Sequence, residues 1–333
     1  MNPPLNFASF AGNARAVRIL RRALAQQRVP HALIFAGPEG VGKRTLAILL
    51  ARRLHCLSLA ADDACGSCRS CNKITHGAHP DLRVIEPEKT VITVGQVRDL
   101  IRQVAYHPFE SKFRVVILDP AEQMRPEGAN CLLKTLEEPA SQTVLILVTT
   151  QPNFLLPTIH SRAQTITFTG IPQDQIAEHL IRAGGLAADK ALLAASFSNG
   201  SLAAALSFDI DGYRQVRSQA LRFVSLLFKK GVFAELSLLA AALHKDKDKD
   251  RFSAWLDATE AVLQDLYYAH ASPQRMSQAD IVGDLKDMSR RVARTDVLAA
   301  VREIKNLRRS LRFNVNRQIA LEALYFSLSG ESG

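Results

Sequence analysis

The fold of this chain follows from the stretch Ala32-Leu-Ile-Phe-Ala36-Gly37-Pro-Glu-Gly40-Val-Gly42-Lys43-Arg44-Thr45. Its first five residues are apolar, which is typical of a strand buried in a parallel sheet. The next residues match the G-x-x-x-x-G-K pattern of a phosphate-binding loop, and a helical segment follows directly. Glycines in such a loop let backbone N–H groups face phosphate oxygens, and the lysine reaches the outer phosphates. We therefore expect nucleotide-binding positions at Gly37, Gly40, Gly42 and Lys43.

The residue that should bind magnesium in this loop is replaced. A Ser or Thr normally follows the lysine and its hydroxyl ligates Mg²⁺, but here Arg44 follows Lys43. The hydroxyl of Thr45 lies about 100° further around the helix. We therefore assign Thr45 to a vestigial nucleotide site that has lost its metal ligand.

The second half of such a site is also incomplete. The apolar run that starts at Phe113 ends in Asp119, the position of a magnesium-binding carboxylate, but Pro120 follows instead of the Glu that activates water. Glu122 lies two positions further on and is expected to point away from the site. Metal positioning and charge neutralisation supply most of phosphoryl-transfer catalysis. The sequence therefore predicts no intrinsic ATPase activity and leaves open whether ATP or ADP still binds.

Strand-like and helical segments alternate through the first half of the chain. The helical stretches Arg44–Leu54 and Val94–Val104 would cross over between strands that are apolar without strict alternation. This pattern predicts an α/β domain with a parallel sheet over residues 1–169. The strand candidates are Ala32–Ala36, Leu82–Ile85, Phe113–Asp119, Thr143–Thr150 and Gln164–Phe168.

Helical periodicity replaces the alternation after Gly170. Residues 170–208 are predicted to form short helices, broken at Gly184-Gly185 and Asn199-Gly200. Residues 209–333 show apolar residues at helical spacing and no convincing strand. The alternating charges of His244–Arg251 indicate a solvated connector between helices. We therefore predict a small helical domain followed by an all-α domain.

Four of the five cysteines cluster, as Cys56, Cys65, Cys68 and Cys71. An odd cysteine count argues against a disulfide framework, and the spacing C-x₈-C-x₂-C-x₂-C suits four thiolates around one tetrahedral zinc. A closed four-cysteine site is structural, so we predict a zinc module over about residues 56–75. The histidines His55, His76 and His79 are alternative ligands, although the cysteines suffice.

The net charge of +10 favours a polyanionic partner, either nucleic acid or an acidic protein surface. No apolar run approaches the roughly 18 residues needed to cross a bilayer. The first residues lack the charged-then-apolar pattern of a signal peptide. These observations predict a cytoplasmic protein without a membrane partner.

The segment Asn130-Cys-Leu-Leu-Lys-Thr-Leu-Glu-Glu-Pro139, with Val144–Thr150 and Leu156-Pro-Thr-Ile-His-Ser-Arg162, closely resembles the AAA+ module of bacterial clamp-loader subunits. Alanine at Ala163 replaces the cysteine of that family's Ser-Arg-Cys motif. The resemblance continues to Asn314–Leu324, which is similar to the family's closing helix. It implies an AAA+ P-loop domain with an embedded zinc module, a helical lid at 170–208 and a helical collar at 209–333 for oligomerisation.

Within that family, the lost groups point to a non-motor subunit. A motor subunit would carry Ser or Thr where this chain has Arg44, and Glu where it has Pro120. It would also carry an arginine in the lid, near the position of Ala203. The resemblance implies a hetero-oligomer in the DNA polymerase III clamp loader, with gamma/tau ATPase and delta subunits, the sliding clamp and primed DNA as partners. Nothing in the chain resembles a polymerase active site.

The resemblance also implies a role for Ser161 and Arg162. In that family the arginine of this motif reaches the phosphate of ATP bound to the neighbouring subunit, so Arg162 is predicted to act in trans as an arginine finger. A lone surface arginine would more commonly form an ordinary salt bridge.

Two rival functions remain open from the sequence. One is an active AAA+ ATPase that uses Lys43 and Asp119. The other is an autonomous DNA-binding protein, in which the zinc module and a group of arginines bind nucleic acid directly through its phosphates. The same arginines are also consistent with subunit contacts, and for any single one a solvated helix face is the more common arrangement. That group is Arg290, Arg291, Arg294, Arg308, Arg309 and Arg312.

Overall fold

A computed structural model of the chain describes residues 6–61, 63–139, 142–245, 249–310 and 316–329. The chain divides into two compact units. The first extends to Leu186 and includes Ser198–Leu206, and the second comprises Ala187–Phe197 and the residues from Ser207 onward. Arg312 and part of the segment Asn314–Leu324 lie outside the described residues, as do residues 246–248 of the charged connector.

The first unit is built on a parallel sheet of five strands in the order β2-β3-β4-β1-β5. Each of the three central strands is fully buried, because helices cover both faces of the sheet. The edge strands are partly exposed. The strands are β1 (Ala32–Ala36), β2 (Leu82–Ile85), β3 (Arg114–Leu118), β4 (Thr143–Thr149) and β5 (Gln164–Thr167).

Side chains that alternate along β1 divide the core into two layers. Leu33 and Phe35 pack with Leu46 and Leu50 on one face of the sheet, whereas Ile34 belongs to the layer on the other face. The helices of this unit are α1 (Ala14–Ala25), α2 (Lys43–His55), α3 (Arg69–Thr75), α4 (Val94–Val104), α5 (Pro126–Glu137), α6 (Pro157–His160), α7 (Gln173–Gly184) and α9 (Leu202–Ser207).

The second unit consists of helices and their connecting turns, without a strand among its described residues. Its core surrounds Trp255, which is 1% exposed and contacts the rings of Phe223 and Phe252 at centroid distances of 5.1 Å and 5.6 Å. Its helices are α8 (Ala188–Phe197), α10 (Ile210–Leu227), α11 (Phe233–Lys245), α12 (Lys249–Ala271), α13 (Val282–Ser289), α14 (Arg294–Ser310) and α15 (Arg317–Ser329).

The predicted parallel α/β architecture is confirmed, and so are the helical breaks at Gly184-Gly185 and Asn199-Gly200. The predicted strand ends differ by one residue or less from the observed ones. No helix among the described residues is long and apolar enough to span a bilayer.

Candidate functional site

The phosphate-binding loop connects β1 to the first turn of α2. Positive φ angles of 72° at Gly40 and 92° at Gly42 shape the loop, a backbone conformation that L side chains rarely adopt. The loop is also closely packed, since a Cβ on Gly42 would lie 2.9 Å from the ring of Phe10. The amine of Lys43 donates to the carbonyls of Gly37 and Pro38 at 2.7 Å and 2.6 Å. The lysine therefore satisfies the carbonyls of its own loop.

Residues 201–203 lie directly against this loop within the same unit. A Cβ on Gly40 would lie 1.9 Å from Oγ of Ser201 and 3.1 Å from the Cβ of Ala203. The N–H of Ala203 donates to the carbonyl of Gly40 at 3.2 Å. Ala203, where we expected a motor subunit to carry an arginine, therefore lies next to the phosphate loop, and its small side chain allows this contact.

Arg44 lies between two carboxylates at the cleft. Its guanidinium forms an ion pair with Glu86, and Nη1 lies 3.6 Å from Oδ2 of Asp119. Burial raises the pKa of Asp119, while the positive charges of Arg44 and Lys43 oppose that rise. The carboxylate of Asp119 therefore has a cationic partner within the same chain.

Glu122 corrects one of our expectations. It was expected to point away from the site, yet it lies on the short helical turn 121–123 and lines the same cleft as Lys43 and Asp119. Its Oε1 accepts hydrogen bonds from N and Oγ1 of Thr150 at 3.0 Å and 2.6 Å. Burial favours the protonated acid, but the hydrogen bonds from Thr150 outweigh it and lower the pKa of Glu122. The reason lies in the sheet topology, because β3 and β4 are parallel neighbours. Asp119 directly follows β3 and Thr150 directly follows β4, so both lie at the same edge of the sheet.

These groups surround a cleft of about 590 Å³ at the carboxyl edge of the sheet. This edge is where parallel α/β sheets generally bind ligands. Burial lowers the pKa of Lys43, although the carboxylates of Asp119, Glu122 and Glu39 oppose this change. Of the described residues that we predicted for the site, Gly40, Gly42, Lys43 and Asp119 line the cleft, whereas Gly37 and Thr45 do not.

Arg162 is separate from this cleft, in the turn between α6 and β5. Its side chain is 32% exposed, and Nη2 lies 2.5 Å from Oε1 of Glu137, at the end of α5. Its Nη1 donates to the carbonyl of Thr158 and to Oγ of Ser161, both at 3.0 Å. The two residues predicted for action in trans are thus hydrogen-bonded to each other.

The four clustered cysteines meet in space. Their sulfurs all lie within 4.8 Å of one another, and the Sγ atoms of Cys56 and Cys65 are 3.6 Å apart. Tetrahedral zinc with bonds of about 2.3 Å separates its sulfur ligands by roughly 3.8 Å. The four residues therefore fit a single metal ion in both geometry and ligand type.

Backbone N–H groups support the sulfurs in this cluster. The N–H groups of Cys65, Cys68 and Cys71 each donate to the sulfur of the preceding cysteine in the set, at 3.3–3.5 Å. Hydrogen bonds from the backbone at Ser67 and Cys68 lower the pKa of the Cys65 thiol to about 6. The thiolate form that binds metals is thereby favoured at this position.

The histidines near the cluster take other roles. His55 and His79 are buried with their ring centroids 4.4 Å apart, and His76 is hydrogen-bonded to the carbonyl of Asn72 at 2.7 Å. Desolvation of the buried ring lowers the pKa of His55 to about 4. The metal-competent group found among the described residues contains only the cysteines.

The arginines of the second unit are mostly engaged or solvated. Arg308 pairs with Asp257 at 2.6 Å and Glu260 at 2.9 Å, and Arg294 lies over the ring of Tyr267. Arg290, Arg291 and Arg309 are exposed. These described arginines are distributed over several elements and do not by themselves define a nucleic-acid surface.

Residues 12–172 match the family model described as DNA polymerase III, delta subunit. The DNA polymerase III subunit delta′ of Pseudomonas aeruginosa is 36% identical over 306 residues, covering 88% of this chain and 90% of that protein. The chain belongs to the DNA polymerase III delta-prime family.

Two further relatives place the chain more closely within the DNA polymerase III subunits. The delta′ subunit of Bacillus subtilis is 29% identical over 94% of this chain and 95% of that protein. The gamma/tau subunit of Mycobacterium tuberculosis is 36% identical, but over only 51% of this chain and 29% of its own length. The delta-prime relatives thus match nearly from end to end, whereas the match to gamma/tau is partial.

Sequence reasoning missed three contacts of this site. Each of these contacts joins residues that are distant along the chain. They are the ion pairs Arg44–Glu86 and Arg162–Glu137 and the hydrogen bond from Thr150 to Glu122. The parallel strand order gave one usable signal, since residues that directly follow adjacent strands must be neighbours. No linear spacing pattern encodes the pairing of Arg162 with Glu137.

Proposed function

We propose that the chain is a non-motor subunit of the DNA polymerase III clamp loader that helps to load the sliding clamp onto primed DNA in the cytoplasm. Its own AAA+ site does not hydrolyse ATP, and Arg162 completes the site of a neighbouring gamma/tau ATPase subunit. The delta subunit, the sliding clamp and primed DNA are the remaining partners of the assembly. Membership of the delta-prime family supports this proposal.

One observation carries the assignment of a non-motor role, namely the pairing of Arg44 with Asp119. A phosphoryl-transfer site needs a cation that bridges the phosphates and is held by an Asp and a hydroxyl. Here the Asp is paired with the guanidinium of Arg44, and the residue directly after Lys43 carries no hydroxyl. The phosphate loop therefore serves as architecture, packed by Phe10 and Ser201.

The role of Arg162 rests on its motif and its position. A guanidinium that reaches a transferring phosphate stabilises charge in the transition state and contributes roughly 10³–10⁵ in rate. Arg162 is partly exposed and lies outside its own cleft, so it is accessible to a second subunit. Ser161 contributes by accepting a hydrogen bond from the arginine.

Zinc is the cofactor that we propose for the four cysteines. Four thiolates within one small cluster are the donor set of structural zinc sites, in which the ion stabilises the fold and leaves no open position for substrate. Cys56 at the end of α2 and Cys71 within α3 would thereby be joined across the intervening loop.

The proposed function is tested in an assembled clamp loader that contains the Arg162→Ala variant. We expect the complex to assemble and its ATPase rate to fall, and an unchanged rate would overturn the role of Arg162. ATP turnover by the isolated chain that is lost on Lys43→Ala would instead support the active-ATPase alternative. Tight DNA binding by the isolated chain would support the autonomous DNA-binding alternative.

A further inference from the structure

The side chain of Arg162 is turned toward its own chain. Its Nη2 is paired with Glu137 at 2.5 Å, while Nη1 is bonded to the carbonyl of Thr158 and the hydroxyl of Ser161. Both terminal nitrogens of the guanidinium are therefore engaged within this subunit. An arginine that contacts a phosphate in a neighbour needs the same nitrogens for that phosphate.

Glu137 can determine whether the guanidinium of Arg162 contacts its own chain or a phosphate in the neighbouring subunit. It is the last residue of α5, its side chain is 48% exposed, and Arg162 is the ion-pair partner found for it among the described residues. The carboxylate and a phosphate oxygen are chemically similar acceptors for one guanidinium fork. The two therefore compete for Arg162.

We propose that Glu137 is a positioning residue that holds Arg162 in a self-directed arrangement until the phosphates of a neighbouring subunit's ATP displace it. This inference rests on the proposed function of Arg162 in trans. In an assembly without ATP at the adjacent site, Arg162 stays paired with Glu137. When ATP binds next door, the guanidinium exchanges a single carboxylate for a polyphosphate of higher charge.

The pair has the strength that an exchangeable contact requires. Both side chains are partly exposed, so solvent screens their attraction, and such pairs shift an equilibrium by a factor of up to about five. The buried Nε–H of Arg162 has no acceptor among the described residues, so the self-directed arrangement leaves one donor unsatisfied. The arrangement is thus populated but easily displaced.

A restraint of this kind has a specific kinetic signature. If only a fraction of the subunits present a released Arg162, the apparent affinity for the ligand that needs it falls by that fraction. Removing the restraint should therefore lower the apparent KM for ATP of the assembled complex. It should leave kcat unchanged within about twofold, because the transition state already has Arg162 released.

The test uses the assembled clamp loader carrying Glu137→Gln, with Glu138→Gln as the matched control. Glu138 is the next residue in the chain and is also exposed, and its substitution by Gln changes the net charge by the same amount as Glu137→Gln. We expect Glu137→Gln to lower the apparent KM for ATP by about two- to fivefold, and Glu138→Gln to match the wild type. An unchanged or raised KM in Glu137→Gln, or an equal effect in both variants, would overturn the proposal.

The double variant Glu137→Gln/Arg162→Ala separates this inference from the proposed function. If Glu137 acts through Arg162, the double variant should behave as Arg162→Ala alone, which a double-mutant cycle detects as non-additivity. Additive effects would show that Glu137 acts by another route and would overturn the inference. If Arg162→Ala leaves ATPase activity unchanged, the proposed function itself fails; if it lowers activity while Glu137→Gln has no effect, only the role of Glu137 fails.

Discussion

The guanidinium of Arg44 lies 3.6 Å from the carboxylate of Asp119, in the cleft that the phosphate loop lines. The arginine that directly follows Lys43 therefore places a permanent positive charge beside this carboxylate. In the proposed function, this charge takes the place of a magnesium ion. Glu86, which directly follows β2, forms an ion pair with the same guanidinium. The three charged residues therefore come from α2, the end of β2 and the end of β3.

Restoring a hydroxyl at this position should restore a response to magnesium. Arg44→Thr frees Asp119 and places a metal ligand after Lys43, so we expect ATP with Mg²⁺ to raise the Tm of the variant. At a ligand concentration of 100 Kd the stabilisation is about 2.7 kcal/mol, which corresponds to a few degrees. Differential scanning fluorimetry with ATP plus either Mg²⁺ or EDTA measures the difference.

The wild-type chain is the control for that experiment, and it should show no rise in Tm that depends on Mg²⁺. An equal magnesium-dependent rise in both proteins would contradict the account of Arg44. Arg44→Thr should still lack ATP turnover, because Pro120 stands at the position of the water-activating Glu.

Metal analysis should find about one zinc per chain, bound by the four clustered cysteines. Cys71→Ser removes the buried ligand and should reduce the bound zinc and the Tm together, because binding free energy of a structural metal is also folding free energy. Cys131→Ser is the matched control, since Cys131 lies in α5 apart from the cluster. Full zinc content in Cys71→Ser, or a metal-free protein with unchanged Tm, would contradict the assignment.

The ion pair between Arg217 and Asp280 should make the second unit sensitive to acid. The two Arg217–Asp280 hydrogen bonds are 2.8 Å and 2.5 Å long, and they lower the pKa of Asp280 below its usual value of 3.8. A carboxylate with a lowered folded-state pKa stabilises the fold above its unfolded pKa, and that stability is lost as pH falls through the folded pKa.

We therefore expect Asp280→Asn to lower the free energy of unfolding at pH 7 by roughly 2 kcal/mol, less than a fully buried pair because about a quarter of Asp280 is exposed. Urea unfolding between pH 7 and pH 2 should show the wild type and variant converging below pH 4. A difference in stability that stays constant over that range would exclude the ion pair as its cause.

Trp255 should be the most costly single truncation in the second unit. Its ring is fully buried and contacts Phe223 and Phe252, so Trp255→Ala should cost about 3–5 kcal/mol. Chemical denaturation followed by circular dichroism measures the loss. Leu238→Ala, at an exposed position on α11, is the control and should change stability by less than about 0.5 kcal/mol.

Much of the fold could be predicted because its signals are local. The apolar runs at β1, β3 and β4 are buried on both faces, and their hydrophobicity alone indicates this. The phosphate loop and the cluster of four cysteines depend on spacings of a few residues, so their positions along the chain could be predicted directly. The convergence of the four cysteines in space agrees with that prediction.

The parts that could not be predicted depend on tertiary contacts. Glu122 enters the cleft because Thr150, which directly follows β4, donates hydrogen bonds to its carboxylate, and no local pattern predicts this. The same holds for Glu137, whose ion pair with Arg162 joins the end of α5 to the turn after α6. Local sequence patterns therefore identify candidate functional residues, whereas the tertiary packing determines which of their side chains are in contact.

In the proposed function, this subunit acts on its neighbour's ATP through Arg162 and not on its own ATP through Lys43. The most direct measurement is the ATPase rate of the assembled clamp loader carrying either Arg162→Ala or Lys43→Met, with assembly verified by gel filtration. We predict that Arg162→Ala reduces hydrolysis at the adjacent site by about 10³-fold or more, lowering the total rate by that site's share, and that Lys43→Met leaves the rate unchanged. A rate that falls with Lys43→Met and is unaffected by Arg162→Ala would contradict the account.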